Sequence, residues 1–176
     1  MSINFIKQDL TTSDAQYICH QVNCQGVMNS GVAKVIREKW PIVHTKYLKA
    51  WQSAPRRLQL LGTILPVDTN NYNPQTWPQS PIVINMFAQE HYGYDGKRYT
   101  SYDAFWTCLE HIREVVPKES KIAFPYKIGS DRGGANWDVI YTMIISVLGN
   151  DYDIEICYLN EDDWLKFHLD LGWEDK

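Results

Sequence analysis

Cys19-His-Gln-Val-Asn-Cys-Gln-Gly-Val-Met-Asn-Ser-Gly-Val-Ala-Lys-Val-Ile36 decides how this chain folds. An apolar run from Tyr17 to Val22 stops at a polar cluster holding Gly26 and Gly31, and an amphipathic helical pattern starts at once. That order is strand, loop, helix. Unpaired N–H groups and the helix dipole at such a junction favour an anion such as phosphate. A second stretch, Phe124-Pro-Tyr-Lys-Ile-Gly-Ser-Asp-Arg-Gly-Gly-Ala-Asn-Trp-Asp138, repeats the arrangement about a hundred residues later. Two such loops on one sheet could clamp a diphosphate.

The flanking sequence supplies the rest of an α/β pattern. Ile3 to Lys7 alternates as a half-buried strand ending at Asp9, and Thr63 to Val67 and Ile82 to Phe87 are β-branched runs. Lys121 to Pro125 and Ile154 to Leu159 complete the strands. Helices are expected over Gly31 to Lys39, Ile42 to Ala54, from a Ser101 cap onward with Phe105, Leu109, Ile112 and Val116 as its stripe, over Trp137 to Leu148, and over 161–171. Trp40-Pro41 breaks the first two apart. The alternation implies one domain over 1–176, a three-layer α/β/α sandwich with helices on both faces of its sheet. The polar, Pro- and Asn-rich stretch 68–81 resembles a loop insertion.

Composition narrows the partners. A net charge of −4 gives no basic excess to neutralise phosphates, so general nucleic-acid binding is not expected. No apolar run reaches the roughly 18 residues of a membrane helix, and Met1 leads straight into a strand pattern, so the expectation is a cytoplasmic protein with no membrane partner. The four cysteines, Cys19, Cys24, Cys108 and Cys157, show no regular spacing and read as free thiols. A zinc site from Cys19, His20 and Cys24 is disfavoured because successive strand residues face opposite ways. No metal or cofactor is expected.

Ligands of open α/β sheets sit beyond the carboxyl ends of the strands. Asp9, Asn23 to Gly31, Ala88 to Tyr99 and Tyr126 to Asn136 occupy those ends. Each has a plain alternative. A glycine between strand and helix is often only a turn, Asp9 and Asn23 are good turn formers, and Asp131 could pair with Arg132 or cap the next helix.

Over nearly its whole length the chain resembles the macro domain, the ADP-ribose-binding module. Gln8-Asp9-Leu10 matches the family's Gly-Asp-Ile or Gly-Asp-Leu. His20-Gln-Val-Asn23 with Gly26-Val-Met-Asn-Ser-Gly-Val-Ala33 matches its Asn-Ala-Ala-Asn and glycine-rich loop. Ile128-Gly-Ser-Asp-Arg-Gly-Gly-Ala-Asn-Trp137 is similar to the Gly-x-Asp-Arg-(x)-Trp loop of terminal ADP-ribose glycohydrolases, and to the loop of yeast-type ADP-ribose 1″-phosphate phosphatases. The resemblance implies a mixed central sheet and a set of roles. Asp9 would accept from the adenine amino group beside Leu10, and Tyr158 or Leu159 would pack on adenine. Gly26, backbone amides of Met28, Asn29, Ser30, Gly31 and Val32, and the loop Ile128, Gly129, Ser130, Arg132, Gly133 and Gly134 with Ala135 would hold the diphosphate. Asn23 would hold the distal ribose or a catalytic water, and Asp131 would activate water or stabilise charge at the anomeric carbon.

Two departures stand out. The glycohydrolase branch carries a lysine where this chain has Gln89, and an amide cannot form a Schiff base. Lys97 and Lys127 are near in sequence. The glycine-rich loop carries Met28, Asn29 and Ser30 where the family often has glycines. The implied partner is ADP-ribose or an ADP-ribosylated substrate, with hydrolysis of a conjugate or of the 1″-phosphate as the preferred function. A non-catalytic ADP-ribose-binding module and a binder of some unrelated nucleotide are the alternatives.

Overall fold

The computed structural model describes residues 1–70 and 80–160. Six strands, β1 (Ile3–Lys7), β2 (Tyr17–Asn23), β3 (Ile64–Asp68), β4 (Ile82–Gln89), β5 (Lys121–Pro125) and β6 (Asp153–Tyr158), form one sheet in the order β1-β6-β5-β2-β4-β3. All neighbours are parallel except β3, which runs antiparallel to β4. The helices are α1 (Gly31–Lys39), α2 (Pro41–Ser53), α3 (Tyr102–Val115) and α4 (Trp137–Leu148). This is a three-layer α/β/α sandwich with a mixed sheet. No described helix is long and apolar enough to cross a membrane.

The period of two along the strands sorts the core into two layers. Ile18, Val22, Val83 and Phe87 face Ile36, Val43 and Tyr47 of α1 and α2. Cys19, Ile84, Met86, Phe124 and Ile156 face Phe105, Leu109, Ile140 and Ile144 of α3 and α4. Burial on both faces explains the nearly continuous apolar runs of the inner strands. Helix starts follow local chemistry. Ser101 Oγ accepts from the Ala104 N–H, Asn136 Oδ1 accepts from the Asp138 and Val139 N–H groups, and Pro41 takes the first position of α2, where no N–H is needed.

Several boundaries differ from expectation. α2 starts at Pro41 and ends at Ser53, and β6 ends at Tyr158, leaving Leu159 outside it. β4 continues to Gln89, where Gln89 makes an isolated antiparallel bridge with Thr100. The expected helix over 161–171, and 71–79 of the expected insertion, lie outside the described residues.

The sheet opens at one place. β2 and β5 pair only at Tyr17 with Ile122 and Ile18 with Ala123, after which no ladder joins them. β2 then feeds helices on one face and β5 feeds α4 on the other. Connections leaving to opposite sides make a crevice at the strand ends, where α/β proteins place ligands.

Candidate functional site

A cleft of about 340 Å³ fills that crevice, within the range of small-molecule sites. Asn23, Asn29, Ser30, Gly31 and Val32 form one wall, and Ile128, Gly129, Asp131, Arg132 and Gly133 form the facing wall. The two segments matched at the sequence level therefore meet across one cavity.

The first wall presents the start of α1. Its N-terminal Ser30 makes no side-chain cap, and the first helical bond runs from the Lys34 N–H to the Ser30 carbonyl at 3.3 Å. The N–H groups of Gly31, Val32 and Ala33 consequently have no described acceptor. Gly31 adopts φ of +56°, a conformation L residues rarely take, with open space where a Cβ would project. Met28, Asn29 and Ser30 are absent from the positive-φ residues, so the loop keeps its shape without the family's extra glycines. The Met28 side chain is buried in the core under α1 and α2, and the residue does not line the cleft. Gly26 does not line it either, because its Cα packs against the Trp51 ring.

Asn23 lines the cleft, but its amide mainly organises the loop. Oδ1 accepts from the Gln25 N–H at 2.9 Å, and Nδ2 donates to the Val27 carbonyl at 2.8 Å. The hydroxyl of buried Tyr47 lies 2.9 Å from Oδ1 and accepts from the Val27 N–H at 3.1 Å. Burial pushes that phenol well above its ordinary pKa, so it stays a neutral hydrogen-bonding group.

In the second wall, the Ser130, Gly134 and Ala135 N–H groups are used within the loop, donating to the Lys127, Asp131 and Gly129 carbonyls at 2.8, 3.2 and 3.0 Å. Ser130 and Gly134 do not line the cleft, and their N–H groups are already used within the loop. The Gly129, Asp131, Arg132 and Gly133 N–H groups have no described acceptor. Asp131 neither pairs with Arg132 nor caps α4. Asn136 does the capping, and the Arg132 guanidinium lies 4.7 Å from the Tyr94 ring centroid.

A chain of side chains fixes this loop against β2 and β4. Carbonyls can only accept, so the direction of every bond follows. Gln89 Nε2 donates to the His91 carbonyl at 2.9 Å, which turns its Oε1 toward Gln21 Nε2 at 2.6 Å. Thr100 donates to the Gly129 carbonyl at 2.7 Å and so accepts from Gln21 Nε2 at 2.8 Å. Gly129, with φ of +71°, has no room for a Cβ, which would come 2.7 Å from Gln21 Oε1. Gln89 thus stands in the cleft wall with its amide used at both ends.

Sequence reasoning left the other wall residues open or passed over them. Gln21, Tyr92, Tyr94, Tyr126 and Lys127 all line the cleft. Polar Gln21 in an apolar strand, and Gly-Tyr spacing in 91–99, were the available signals. Lys127 holds φ of +59°, one of two non-glycine residues with positive φ among those described. Lys97 is not in the wall, and its ammonium pairs with Asp95 at 3.1 Å. His91 points at Glu90, 3.3 Å away. Among the described residues no cluster of His, Cys, Asp and Glu is placed to hold a metal.

Asp9, Leu10, Tyr158 and Leu159 lie outside this cleft but beside one another, at the joined ends of β1 and β6. The Gln8 N–H donates to the Tyr158 carbonyl at 3.0 Å. Asp9 Oδ1 accepts from both the N–H and the hydroxyl of Thr11 at 2.7 Å, which makes Asp9 the cap of a short 3-10 turn. Leu10 is buried, whereas Leu159 is 71% exposed and is no core residue.

No family model matches the chain. Among curated proteins it is 25% identical over 153 residues to the "DNA ADP-ribosyl glycohydrolase" of Mycobacterium tuberculosis (strain ATCC 25618 / H37Rv), covering 87% of this chain and 40% of that protein. The Mycobacterium bovis protein of the same name gives the same values. The chain thus spans about two fifths of the length of these relatives. Among solved structures, the macrodomain of Mycobacterium tuberculosis DarG superposes with a TM-score of 0.70 at 24% identity, over 89% of this chain and 97% of that one. Thermosipho africanus DarTG in complex with ADP-ribose gives 0.71 at 17% identity, over 90% and 42%. The fold is that of the macrodomains, and these similarities support the macro domain family.

Proposed function

We propose that this cleft binds ADP-ribose and that the protein hydrolyses an ADP-ribosyl conjugate. One observation carries the reading: uncommitted N–H groups from two facing loops converge on one cavity, whose wall includes a carboxylate, Asp131, that no described side chain pairs with. The amides suit a diphosphate, and the α1 dipole adds to them. From this cavity, in the gap between β5 and β2, to the Asp9–Leu159 end at β6 and β1 is two strand spacings, about 10 Å. A nucleoside diphosphate extended by a second sugar can reach that end and still engage the amides of both loops.

In the proposed reaction, water adds to the anomeric carbon of the distal ribose as the bond to the attached group breaks. The water oxygen becomes the new hydroxyl, and its proton leaves with the departing group. Asp131 orients that water, or stabilises positive charge at the carbon as the bond lengthens. Gln89 has no amine to add to the sugar, and its amide holds the Asp131 loop instead. The curated relatives' name makes ADP-ribosylated DNA the first conjugate to test, followed by ADP-ribosylated protein and ADP-ribose 1″-phosphate. Gln89 also favours a second reading, a binding module without turnover.

Incubation with the three substrates, with products resolved by chromatography, separates the readings. Turnover on at least one is expected, and Asp131→Asn should slow it by about 10²-fold or more while ADP-ribose affinity changes little. Borohydride should trap no enzyme–sugar adduct. Full activity in Asp131→Asn removes the aspartate from the chemistry, and an inactive parent leaves the binding module.

A further inference from the structure

We propose that Tyr94, with Arg132 on its face, is a stacking platform for a nucleobase attached to the distal ribose, so that the cleft reads the departing group as well as the nucleotide. The inference rests on the functional reading above. Tyr94 is 74% exposed and Tyr92 47% exposed, yet both belong to the cleft wall. Rings this large are normally buried, because covering their apolar surface is favourable.

The loop around them is braced without using either ring. Asp95 Oδ1 accepts from the Tyr99 hydroxyl at 2.8 Å and the Lys97 N–H at 3.2 Å, and its other oxygen pairs with the Lys97 ammonium. These partners hold the Asp95 carboxyl down at about 2, so the brace persists at any ordinary pH. The Tyr99 and Thr100 N–H groups donate to the Gly133 carbonyl at 2.8 and 3.0 Å, tying the loop to the opposite wall. A Cβ on Gly93 would collide with the Tyr99 hydroxyl, so the glycine lets that ring lie against the loop backbone. The Tyr94 ring is therefore presented by fixed backbone, and binding to it has little loop ordering to overcome.

Position and chemistry identify the guest. Arg132 follows Asp131 directly, which puts the platform where a group leaving the anomeric carbon would lie. An aromatic ring paired with a guanidinium offers a flat, electron-rich and cationic surface, the kind on which unstacked bases settle. A glutamate or serine side chain bonded to the ribose presents no π face and gains little there. Lys97 is neutralised by Asp95 and the chain carries net charge −4, so the site suits one base rather than a long tract of backbone.

Equilibrium binding in the Asp131→Asn background, where the conjugate stays intact, provides the test. The probes are a short single-stranded oligonucleotide ADP-ribosylated on a base, a peptide ADP-ribosylated on glutamate, and free ADP-ribose. The oligonucleotide conjugate should bind more tightly than free ADP-ribose. Tyr94→Ala should cut that preference by about tenfold, and Tyr94→Phe should keep it. The peptide's affinity relative to free ADP-ribose should not depend on Tyr94. A preference that survives Tyr94→Ala, an equal loss for the peptide, or no preference in the first place overturns the inference and leaves the ADP-ribose site standing. Failure to bind free ADP-ribose overturns the functional reading itself, and this inference with it.

Discussion

His20 is 1% exposed and its Nε2 lies 2.8 Å from Asn85 Oδ1. Asn85 turns that oxygen toward the ring because its Nδ2 donates to the Leu65 carbonyl at 3.1 Å, so the imidazole carries its proton on Nε2. Burial pushes its pKa down from 6.5 to about 4. The folded protein thus keeps His20 neutral where the unfolded chain would take up a proton. The resulting stabilisation is complete above pH 6.5 and is lost as pH falls toward 4, an effect of about 3 kcal/mol. Thermal melts between pH 7 and 4 should show a shallower decline for His20→Gln, whose amide can still donate to Asn85 but does not titrate. Parallel declines in the two proteins would mean that His20 is not kept neutral by the fold. The thiols illustrate the same force: burial raises Cys24 and Cys108 to about 12 and Cys157 to about 11, so all three are inert as nucleophiles at neutral pH.

Elements were easier to read than their pairing. An apolar run marked β2 and a β-branched run marked β4, and Ser101 marked a helix start by a mechanism visible in a single residue, whereas Pro41 reads as a break although it opens α2. Where two strands stop pairing is set by tertiary packing, so the end of the β2–β5 ladder at Ile18 and Ala123, which makes the cleft, left no mark in the sequence. The Gln89–Gln21–Thr100–Gly129 chain was hidden for the same reason: alternation tells which face a glutamine occupies, not what it bonds to. That chain gives its own prediction. Thr100→Val keeps the shape but leaves one Gln21 N–H unsatisfied, at about 1–3 kcal/mol, and reduces the Gly129 carbonyl to its single bond from the Ala135 N–H. The protein should melt earlier, and amides of Gly129 to Gly133 should exchange hydrogen faster than those of β2. Unchanged exchange in that loop would show that the side-chain bonds do not hold it.

At the scale of the molecule, residue identity was a better guide to the location of the site than to the job of each residue. The two glycine-containing loops do face each other, but Met28, Ser130 and Gly134 do not line the cavity between them, and Asn23 spends most of its amide on its own loop. Backbone N–H groups carry no sequence signal, so which of them stay uncommitted appears only once the turns are formed. The adenine end was proposed from a resemblance, and the fold brings Asp9, Leu10, Tyr158 and Leu159 together two strand spacings from the cavity. The central claim is that one extended ligand engages both ends, and calorimetric titration with ADP-ribose and with AMP tests it most directly. ADP-ribose should bind at least tenfold more tightly, about 1.4 kcal/mol or more, because its diphosphate and distal ribose reach the amides of both loops. Equal affinity for the two ligands would contradict the account.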